Sequence, residues 1–252
     1  MQTWRYEQAP LGANVIGSKW VFKAKKDASG HVIQHKACLV AQAFSQIRGV
    51  DYNDTYTPVA KLASSCLLIA MANQNHLELH QIDIKGPYLN GVLTNDEVLY
   101  MQHPPKFKDP RAGTQVLQLQ KALYGLKQAG WHWYQKFKSI LAELGPKQCK
   151  VDQAVFYKKG NQYVTLVVAV HVDNCTIARH THHIINEFIE GLKKHLEVTD
   201  LGELHWMLGI EVKRDCGARL IHLLQRLYID LIVCHFSFED LKPLSTPFNV
   251  QV

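Results

Sequence analysis

The amino-acid sequence predicts an α+β fold, in which helices pack on one face of an antiparallel sheet. Helical and strand-like segments are mixed along the 252 residues without the regular βαβ order that a parallel sheet requires. The apolar run Tyr163–Ala178, interrupted by Asp173-Asn174, predicts a tight β-hairpin. An amphipathic helix is indicated by the spacing of Trp133, Phe137, Ile140, Leu141 and Leu144.

The N-terminal part predicts a two-stranded β-arm and then a helix. Apolar and basic residues alternate over Trp20–Lys26, Asp27–Gly30 is a turn signal, and His31–Ala41 has the pattern of a second strand. A helix is expected from Leu62 to Ala72. Its buried face is expected to contain Leu62, Cys66, Ile69 and Ala70.

The next strand, Leu77–Ile84, ends at an acidic residue. Alternation places Asp83 on the same side as Leu79 and Gln81, just before the break at Lys85-Gly86-Pro87. An acid in this position suits a turn and a functional site equally well, so the pattern leaves both interpretations open.

After the hairpin, Thr181 is expected to cap a helix. The inner face of that helix is predicted to contain Ile184, Ile185, Phe188, Ile189, Leu192 and Leu196. The segments Leu204–Lys213 and Arg219–Leu224 predict a further strand pair, and a last helix is expected from about Gln225 to Phe236. The cluster His180, His182 and His183 has no adjacent acid or cysteine, which favours a solvated helix start over a metal site.

Composition limits the class of protein. Hydrophobic residues make up 47% and charged residues 20%, which is typical of a globular chain. The apolar runs are too short for a membrane span, and the N-terminus lacks the apolar core of a signal peptide. Six cysteines without a CxxC pair indicate free thiols in a reducing compartment. We therefore expect an intracellular protein, cytoplasmic or nuclear, without a membrane partner.

Basic residues are concentrated in two segments of a chain whose formal charge is +6. Residues 121–159 contain eight lysines against two acids, and the β-arm carries a second group. The members of that group are Lys19, Lys23, Lys25, Lys26 and Lys36. Solvated surfaces explain most lysines, and charge alone favours a polyanion-binding surface only weakly.

Asp173 has two interpretations. Taken alone, the hairpin favours a turn residue. An acid on a rigid hairpin, beside a second acid and a basic surface, also suits Mg²⁺-dependent phosphoryl transfer, because Mg²⁺ needs only one or two carboxylates plus substrate phosphates.

Sequence blocks from Trp20 to Pro247 resemble the reverse transcriptase domain of copia-type LTR retrotransposons. The combination of LYGLKQA with DLGEL and LGIEV is highly specific for this family. The blocks are WVFKAKKDASG at Trp20, HKACLVAQAF at His35, GVDYNDTYTPVAKL at Gly49, ELHQIDIKGPYLNG at Glu78, YMQHPP at Tyr100, KALYGLKQAGWHWYQKF at Lys121, VHVDN at Val170, DLGELHWMLGIEV at Asp200 and LSTP at Leu244.

The resemblance implies a right-hand polymerase with an antiparallel palm sheet. Residues 1–76 would form fingers with the β-arm, residues 77–215 the palm with fingers insertions, and residues 216–252 the end of the palm and a truncated, partial thumb. The implied substrates are an RNA template, a DNA primer and dNTPs. The implied cofactor is Mg²⁺, with Mn²⁺ as an alternative.

The resemblance also implies roles for particular residues. The catalytic metal ligands would be Asp83, Asp173 and the residue at position 174, here Asn174. Tyr88 would stack under the sugar and exclude a 2′-hydroxyl, although a core aromatic is the alternative. The nucleotide-binding residues would be Ile84, Lys85, Gly86, Tyr88, Tyr124 and Gly125. The nucleic-acid-binding residues would be Lys36, Lys121 and Lys127.

Several positions depart from the family pattern. Asn174 replaces an Asp, His171 replaces the Tyr of the hairpin motif, and Pro87 removes a backbone N–H from the segment expected to hold the triphosphate. Cys38, Gln42 and Ala43 stand in place of the usual Arg, Lys and Gly, and Gly130 in place of Pro.

These departures predict a chain that folds but polymerises poorly, as a decayed or truncated element copy would. Other polyprotein segments would then act in trans. The alternatives are a catalytically dead relic that retains template–primer binding or no activity, and an unrelated RNA-binding or scaffolding domain. The second alternative leaves the block matches unexplained.

Overall fold

The computed structural model describes residues 2–26, 31–94, 96–107, 109–161 and 163–241 of the chain. The turn predicted at Asp27–Gly30 and the LSTP block at Leu244 lie outside the described residues. None of the helices in the described ranges combines the length and the hydropathy that crossing a bilayer requires.

Fourteen strands and four helices are distributed along the described ranges. The strands are β1 (Trp4–Glu7), β2 (Val15–Lys26), β3 (Val32–Gln42), β4 (Glu78–Ile84), β5 (Tyr100–Met101), β6 (Val116–Leu119), β7 (Lys147–Gln148), β8 (Val155–Lys159), β9 (Val164–His171), β10 (Asn174–Arg179), β11 (Val198–Glu203), β12 (Trp206–Met207), β13 (Ile210–Asp215) and β14 (Leu220–Leu224). The helices are α1 (Leu62–Gln74), α2 (Ala129–Leu144), α3 (His182–Lys193) and α4 (Arg226–His235).

The central element is a six-stranded sheet in the order β11-β4-β10-β9-β8-β7, and every neighbouring pair in it is antiparallel. Strand β9, VTLVVAVH, is rich in β-branched residues, which suit a pleated surface. An α+β fold with an antiparallel sheet is thus confirmed.

The prediction that helices cover one face of this sheet is wrong, because both faces are buried. On one face Ile82 and Val168 pack with α2 and α3. On the other face Leu79 and Ala169 pack with α1 and with the small sheet β12-β13-β14. Residues that alternate along β4 and β9 therefore belong to two different cores, which an apolar run without alternation does not reveal.

Helix α1 was predicted in the right place but with the wrong buried face. Of the four residues expected inside, only Ile69 is buried, and Leu62 is 52% exposed. The residues of the helix that are buried are Ser65, Leu68, Ile69 and Ala72. Apolar residues occur on all sides of LASSCLLIAMANQ, so its periodicity carries little directional information.

A second sheet, with five strands in the order β1-β6-β5-β2-β3, carries the predicted β-arm. The arm pairs β2 with β3 from Gly17↔Gln42 to Lys26↔Val32. Strands β5 and β6 come from the segment between α1 and α2, and β5 joins β2 in parallel. The arm is thereby anchored by residues far from it in sequence.

The C-terminal predictions are partly confirmed. The predicted strand Leu204–Lys213 is interrupted at Leu208-Gly209, where both residues have positive φ, and forms β12 and β13. Thr181 occupies the cap position of α3 but makes no side-chain cap hydrogen bond. Helix α4 is present near its predicted bounds, and none of its residues is buried.

The predicted buried faces of α2 and α3 are confirmed. Residues Trp133, Phe137, Ile140 and Leu141 of α2 are buried, and Leu144 is partly buried in the same core. The corresponding residues of α3 enter that core as well, with Ile184 at its edge. All six cysteines are free.

Replacing Phe137 by Ala should lower the free energy of unfolding by about 3–5 kcal/mol, because the cavity left behind cannot fully collapse. The ring of Phe137 is 1% exposed at the centre of the α2–sheet core. Urea unfolding followed by circular dichroism measures the change. The control Phe236→Ala, at a ring that is 58% exposed, should stay within about 0.5 kcal/mol. An equal effect of the two substitutions would contradict the assigned core.

Candidate active site

Asp83 and the tip of the β9–β10 hairpin meet because β4 and β10 are neighbours in the sheet. Asp83 lies directly opposite Asn174 in the β4–β10 register. The backbone N–H of Ile84 donates to the Asp173 carbonyl oxygen at 2.8 Å. Residues that lie far apart in the sequence are therefore held together on adjacent rigid strands.

The turn of the hairpin differs from the prediction by one residue. His171 pairs with Asn174, so the two turn residues are Val172 and Asp173, and Asn174 begins β10. Val172 has φ +60°, a conformation that a β-branched residue adopts only under strain. The Asp-Asn pair suggested the turn because these residues tolerate left-handed backbone, and here Val172 takes that conformation instead.

A buried tryptophan holds the strained turn. The indole N–H of Trp133 on α2 donates to the Val172 carbonyl oxygen at 2.7 Å. Both turn carbonyls are then occupied, that of Val172 by Trp133 and that of Asp173 by Ile84. The backbone from which the Asp173 side chain projects is thus held by the sheet on one side and by α2 on the other.

The side chain of Asn174 bridges two neighbours. Its amide N–H donates to Asp173 Oδ1 at 3.1 Å, and its Oδ1 accepts from the Gln81 amide at 3.3 Å. Behind it is a cavity of about 200 Å³, which Gln81, His171 and Thr176 also line. The Nδ1 atom of His171 is buried there without a hydrogen-bond partner among the described residues.

Two tyrosines, Tyr88 and Tyr124, are close enough to Asp173 for its negative charge to affect their pKa values. The rings of Tyr88 and Tyr124 pack edge to face, with their centroids 4.7 Å apart. Burial raises the pKa of Tyr124 to about 12, and the charge of Asp173 adds to the increase. Burial and then Asp173 also raise the pKa of Tyr88. Both phenols are therefore neutral at physiological pH and offer O–H groups beside the acids.

Tyr124 and Gly125 join this site to the β-arm. The backbone N–H of Ala41 in β3 donates to the Tyr124 carbonyl oxygen at 2.8 Å. Gly125 has φ +92°, and a Cβ atom there would lie 2.2 Å from the Ala41 carbonyl oxygen. Both the positive φ and the lack of space for a Cβ atom require glycine at position 125. This close approach packs β3 of the arm beside Tyr124.

The segment after Asp83 leaves the sheet in a sharp bend. Gly86 is left-handed with φ +54°, and a 3₁₀ turn, Pro87–Asn90, begins at the buried Pro87. The N–H groups of Ile84 and Lys85 donate to Asp173 and Glu197 within the sheet, so they do not supply the backbone donors expected for a triphosphate. The Lys85 ammonium pairs with Glu197 Oε1 at 2.5 Å, and this hydrogen bond raises the pKa of Lys85.

Comparison with known proteins identifies the family. Residues 1–250 match the family described as reverse transcriptase (RNA-dependent DNA polymerase). This chain belongs to the reverse transcriptase family. The resemblance to copia-type reverse transcriptase domains is thereby confirmed.

Curated relatives are polyproteins of transposable elements. The retrovirus-related Pol polyprotein from transposon TNT 1-94 of Nicotiana tabacum is 32% identical over 97% of this chain. The Pol polyprotein from transposon RE1 of Arabidopsis thaliana is 33% identical over 94% of it. The matched region covers 18% and 16% of these two relatives, so the reverse transcriptase chain corresponds to a small part of their length.

A solved structure of apo telomerase from Candida tropicalis aligns with 88% of this chain and 57% of that chain. The TM-score is 0.43 and the sequence identity is 8%. At this level the alignment carries no information about the site.

The three lysines predicted to contact nucleic acid lie in different places. Lys127 donates to the Gln46 carbonyl and to the Tyr52 hydroxyl, both at 3.3 Å, and its ammonium lies 4.9 Å from the centroid of the Tyr52 ring. Lys36 is exposed on β3 of the arm. Lys121 follows β6 and forms an isolated antiparallel β-bridge with Val92.

Two site residues were missed by sequence reasoning. Gln81 was placed on the face of Asp83, which is a signal for a neighbour of the site, but it received no role. Trp133 was interpreted as core packing alone. Its burial is confirmed, but no sequence pattern could show that its N–H reaches Val172 from another element.

Gly125→Ala should destabilise the chain more than Gly12→Ala, which serves as a matched control. Both glycines have positive φ, so both variants share a strain of roughly 1–2 kcal/mol. A Cβ at Gly12 meets nothing within 4 Å, whereas one at Gly125 collides with backbone, which adds about 1–3 kcal/mol. Urea unfolding of the two variants measures the difference, and equal losses would contradict the close approach to Ala41.

Tyr124 should make the stability of the folded chain depend on pH above 10. Its pKa is about 12 in the fold against a usual 10.0, so the unfolded chain loses this proton first as the pH rises. The contribution of Tyr124 is therefore fully present below pH 10 and decreases as the pH approaches 12. Unfolding of the parent and of Tyr124→Phe measures it, because the variant should show a shallower decline. Parallel declines would contradict the raised pKa.

Proposed function

We propose that this chain is the RNA-directed DNA polymerase part of a longer polyprotein and that its catalytic site is impaired. The observation that carries the proposal is the juxtaposition of Asp83 and Asp173, where β4 meets the β9–β10 hairpin. Family membership supports the reaction class, the addition of dNTPs to a DNA primer on an RNA template.

Asp83 and Asp173 fit the metal requirement of nucleotidyl transfer only in part. Their carboxylates provide hard oxygen ligands from rigid elements, which suits Mg²⁺ or Mn²⁺. Within the described ranges no group of three or more His, Cys, Asp or Glu side chains could hold a metal ion. Position 174 supplies an amide in place of a third carboxylate. When bound, divalent ions activate the attacking hydroxyl and stabilise the leaving pyrophosphate.

The nucleotide would lie between the acids and the Tyr88–Tyr124 pair. The Tyr88 ring is half-buried against Tyr124, a packing that supports a role in excluding a 2′-hydroxyl. The Lys85 ammonium is exposed and would exchange Glu197 for a phosphate. Ile84, Gly86 and Gly125 would shape the backbone around this space.

The nucleic acid would follow the β-arm. Lys36 on the arm and Lys127 beside Tyr52 are exposed cations on the part of the chain that Tyr124 joins to the site, and both would contact backbone phosphates. Lys121, beside Val92, would make at most a peripheral contact.

A division into fingers (1–76), palm (77–215) and the end of the palm with the start of the thumb (216–252) is supported by the two sheets. Strands β5 and β6, within the palm range, join the sheet of the β-arm, which matches fingers segments inserted into the palm. The palm would be the six-stranded sheet with α2 and α3, and α1, within the fingers range, packs on its other face. Helix α4 would begin the thumb.

Impairment rests on Asn174 and Pro87. The amide at Asn174 removes one negative charge from the metal side, and Pro87 has no N–H to offer a triphosphate.

The alternative function is a relic that retains template–primer binding without catalysis, and the Asn174 amide favours it. We place the protein inside the cell because its cysteines are free.

Asn174→Asp should increase Mg²⁺-dependent primer extension on an RNA template by about 10²-fold or more, because it restores a preorganised charge. Extension rates of the purified parent and variant measure the gain. Asn161→Asp, at an exposed loop position, introduces the same charge elsewhere and should leave the rate unchanged.

Robust extension by the unmodified chain would contradict the impairment. If Asn174→Asp gains nothing, Pro87→Ala on that background tests whether the missing backbone donor limits the rate. Salt-sensitive binding of the primed template by all variants separates loss of catalysis from loss of binding. Absence of any binding would exclude both the polymerase and the binding relic.

A further inference from the structure

The amide of Asn174 has one orientation that satisfies both of its neighbours. A carboxylate oxygen only accepts hydrogen bonds, so the group that Asn174 presents to Asp173 Oδ1 at 3.1 Å must be its N–H. The Asn174 oxygen is then directed to the other side. There it accepts the amide N–H of Gln81 at 3.3 Å.

Gln81 is placed for this contact by the strand alternation that places Asp83. The two residues are on the same face of β4, and both pair with β10, Asp83 with Asn174 and Gln81 with Thr176. Gln81 and Asn174 both line the 200 Å³ cavity behind the hairpin. The oxygen of Asn174 is therefore engaged on the cavity side, and the N–H of Asn174 occupies the side of Asp173.

We infer that Gln81 is a positioning residue that keeps the Asn174 side-chain oxygen out of the metal site, so that this chain offers a divalent cation the carboxylates of Asp83 and Asp173 but no side-chain oxygen from position 174. The inference rests on the proposed function, because it concerns the same metal side. The proposed function treats Asn174 as a weaker ligand than Asp, whereas this inference states that the Asn174 side chain is not a ligand at all. Asn174 presents its N–H to the Asp173 side, and an N–H group does not coordinate a cation, whereas its oxygen is engaged by Gln81.

The role of Gln81 reverses when position 174 is an acid. In the Asn174→Asp chain, the Gln81 amide donates to a carboxylate and orients it, as partners of metal ligands commonly do. In the unmodified chain, the same amide withholds the only side-chain oxygen of position 174. One substitution at Gln81 should therefore have opposite effects in the two backgrounds.

The experiment is a Mn²⁺ titration, with free Mn²⁺ measured by electron paramagnetic resonance and no substrate present. The proteins are the unmodified chain, Gln81→Leu, Asn174→Asp and the double variant. Gln81→Leu should tighten Mn²⁺ binding severalfold in the unmodified chain, because the amide becomes free to turn its oxygen to the cation. It should weaken binding by about 10–100-fold in the Asn174→Asp background. Gln34→Leu, on the exposed arm, is the matched control and should change neither value.

A second variant keeps the test decisive if Gln81→Leu does not fold. Gln81→Met keeps the length of the side chain but has neither the N–H donor nor a charge, so it also frees the Asn174 oxygen and should also tighten Mn²⁺ binding in the otherwise unmodified chain. Changes of the same sign in both backgrounds, or none, would overturn the role of Gln81 and leave the proposed polymerase site standing. Absence of Mn²⁺ binding by every protein, Asn174→Asp included, would overturn the metal site as well.

Discussion

The arrangement of the candidate site depends on the pairing of β4 with β10. This pairing sets Asp83 opposite Asn174, and the Ile84 N–H fixes the Asp173 carbonyl in the same ladder. Because the hydrogen-bond register of a sheet allows no small adjustments, the acids are placed by backbone geometry and not by flexible side chains. Trp133 and the two cores on either side of the sheet hold that register against the strain at Val172.

The sequence predicted the parts of the fold in which one face alone is apolar. The α2 stripe through Trp133 and Phe137 was predictable because polar residues cover the opposite side of that helix. The α1 face and the second covered face of the sheet were not, since segments buried on both sides lack alternation. At the site, Asp83 and Asp173 were predictable from the hairpin motif and from the alternation of the strand that ends at Asp83. The Gln81–Asn174 and Trp133–Val172 contacts depend on register and helix packing, which no local pattern encodes.

Folding and catalysis place separate demands on this chain. The buried stripes of α2 and α3, the glycine at position 125 and the anchoring of the β-arm are intact. Two of the departures from the family pattern, Asn174 and Pro87, lie where the proposed site would hold metal and substrate. The proposed impairment would therefore leave the packing requirements of the fold unchanged.

The hydrogen bond between Asn174 and Asp173 also affects how well the fold tolerates mutation. Two carboxylates at adjacent positions of a hairpin tip repel each other, and a functional enzyme tolerates that repulsion for the sake of its metal ions. Exchanging one of them for an amide replaces a repulsion with an attraction at 3.1 Å. If the site is impaired as proposed, the substitution that weakens the chemistry would also relieve the fold, and such a chain would gain tolerance for further mutations.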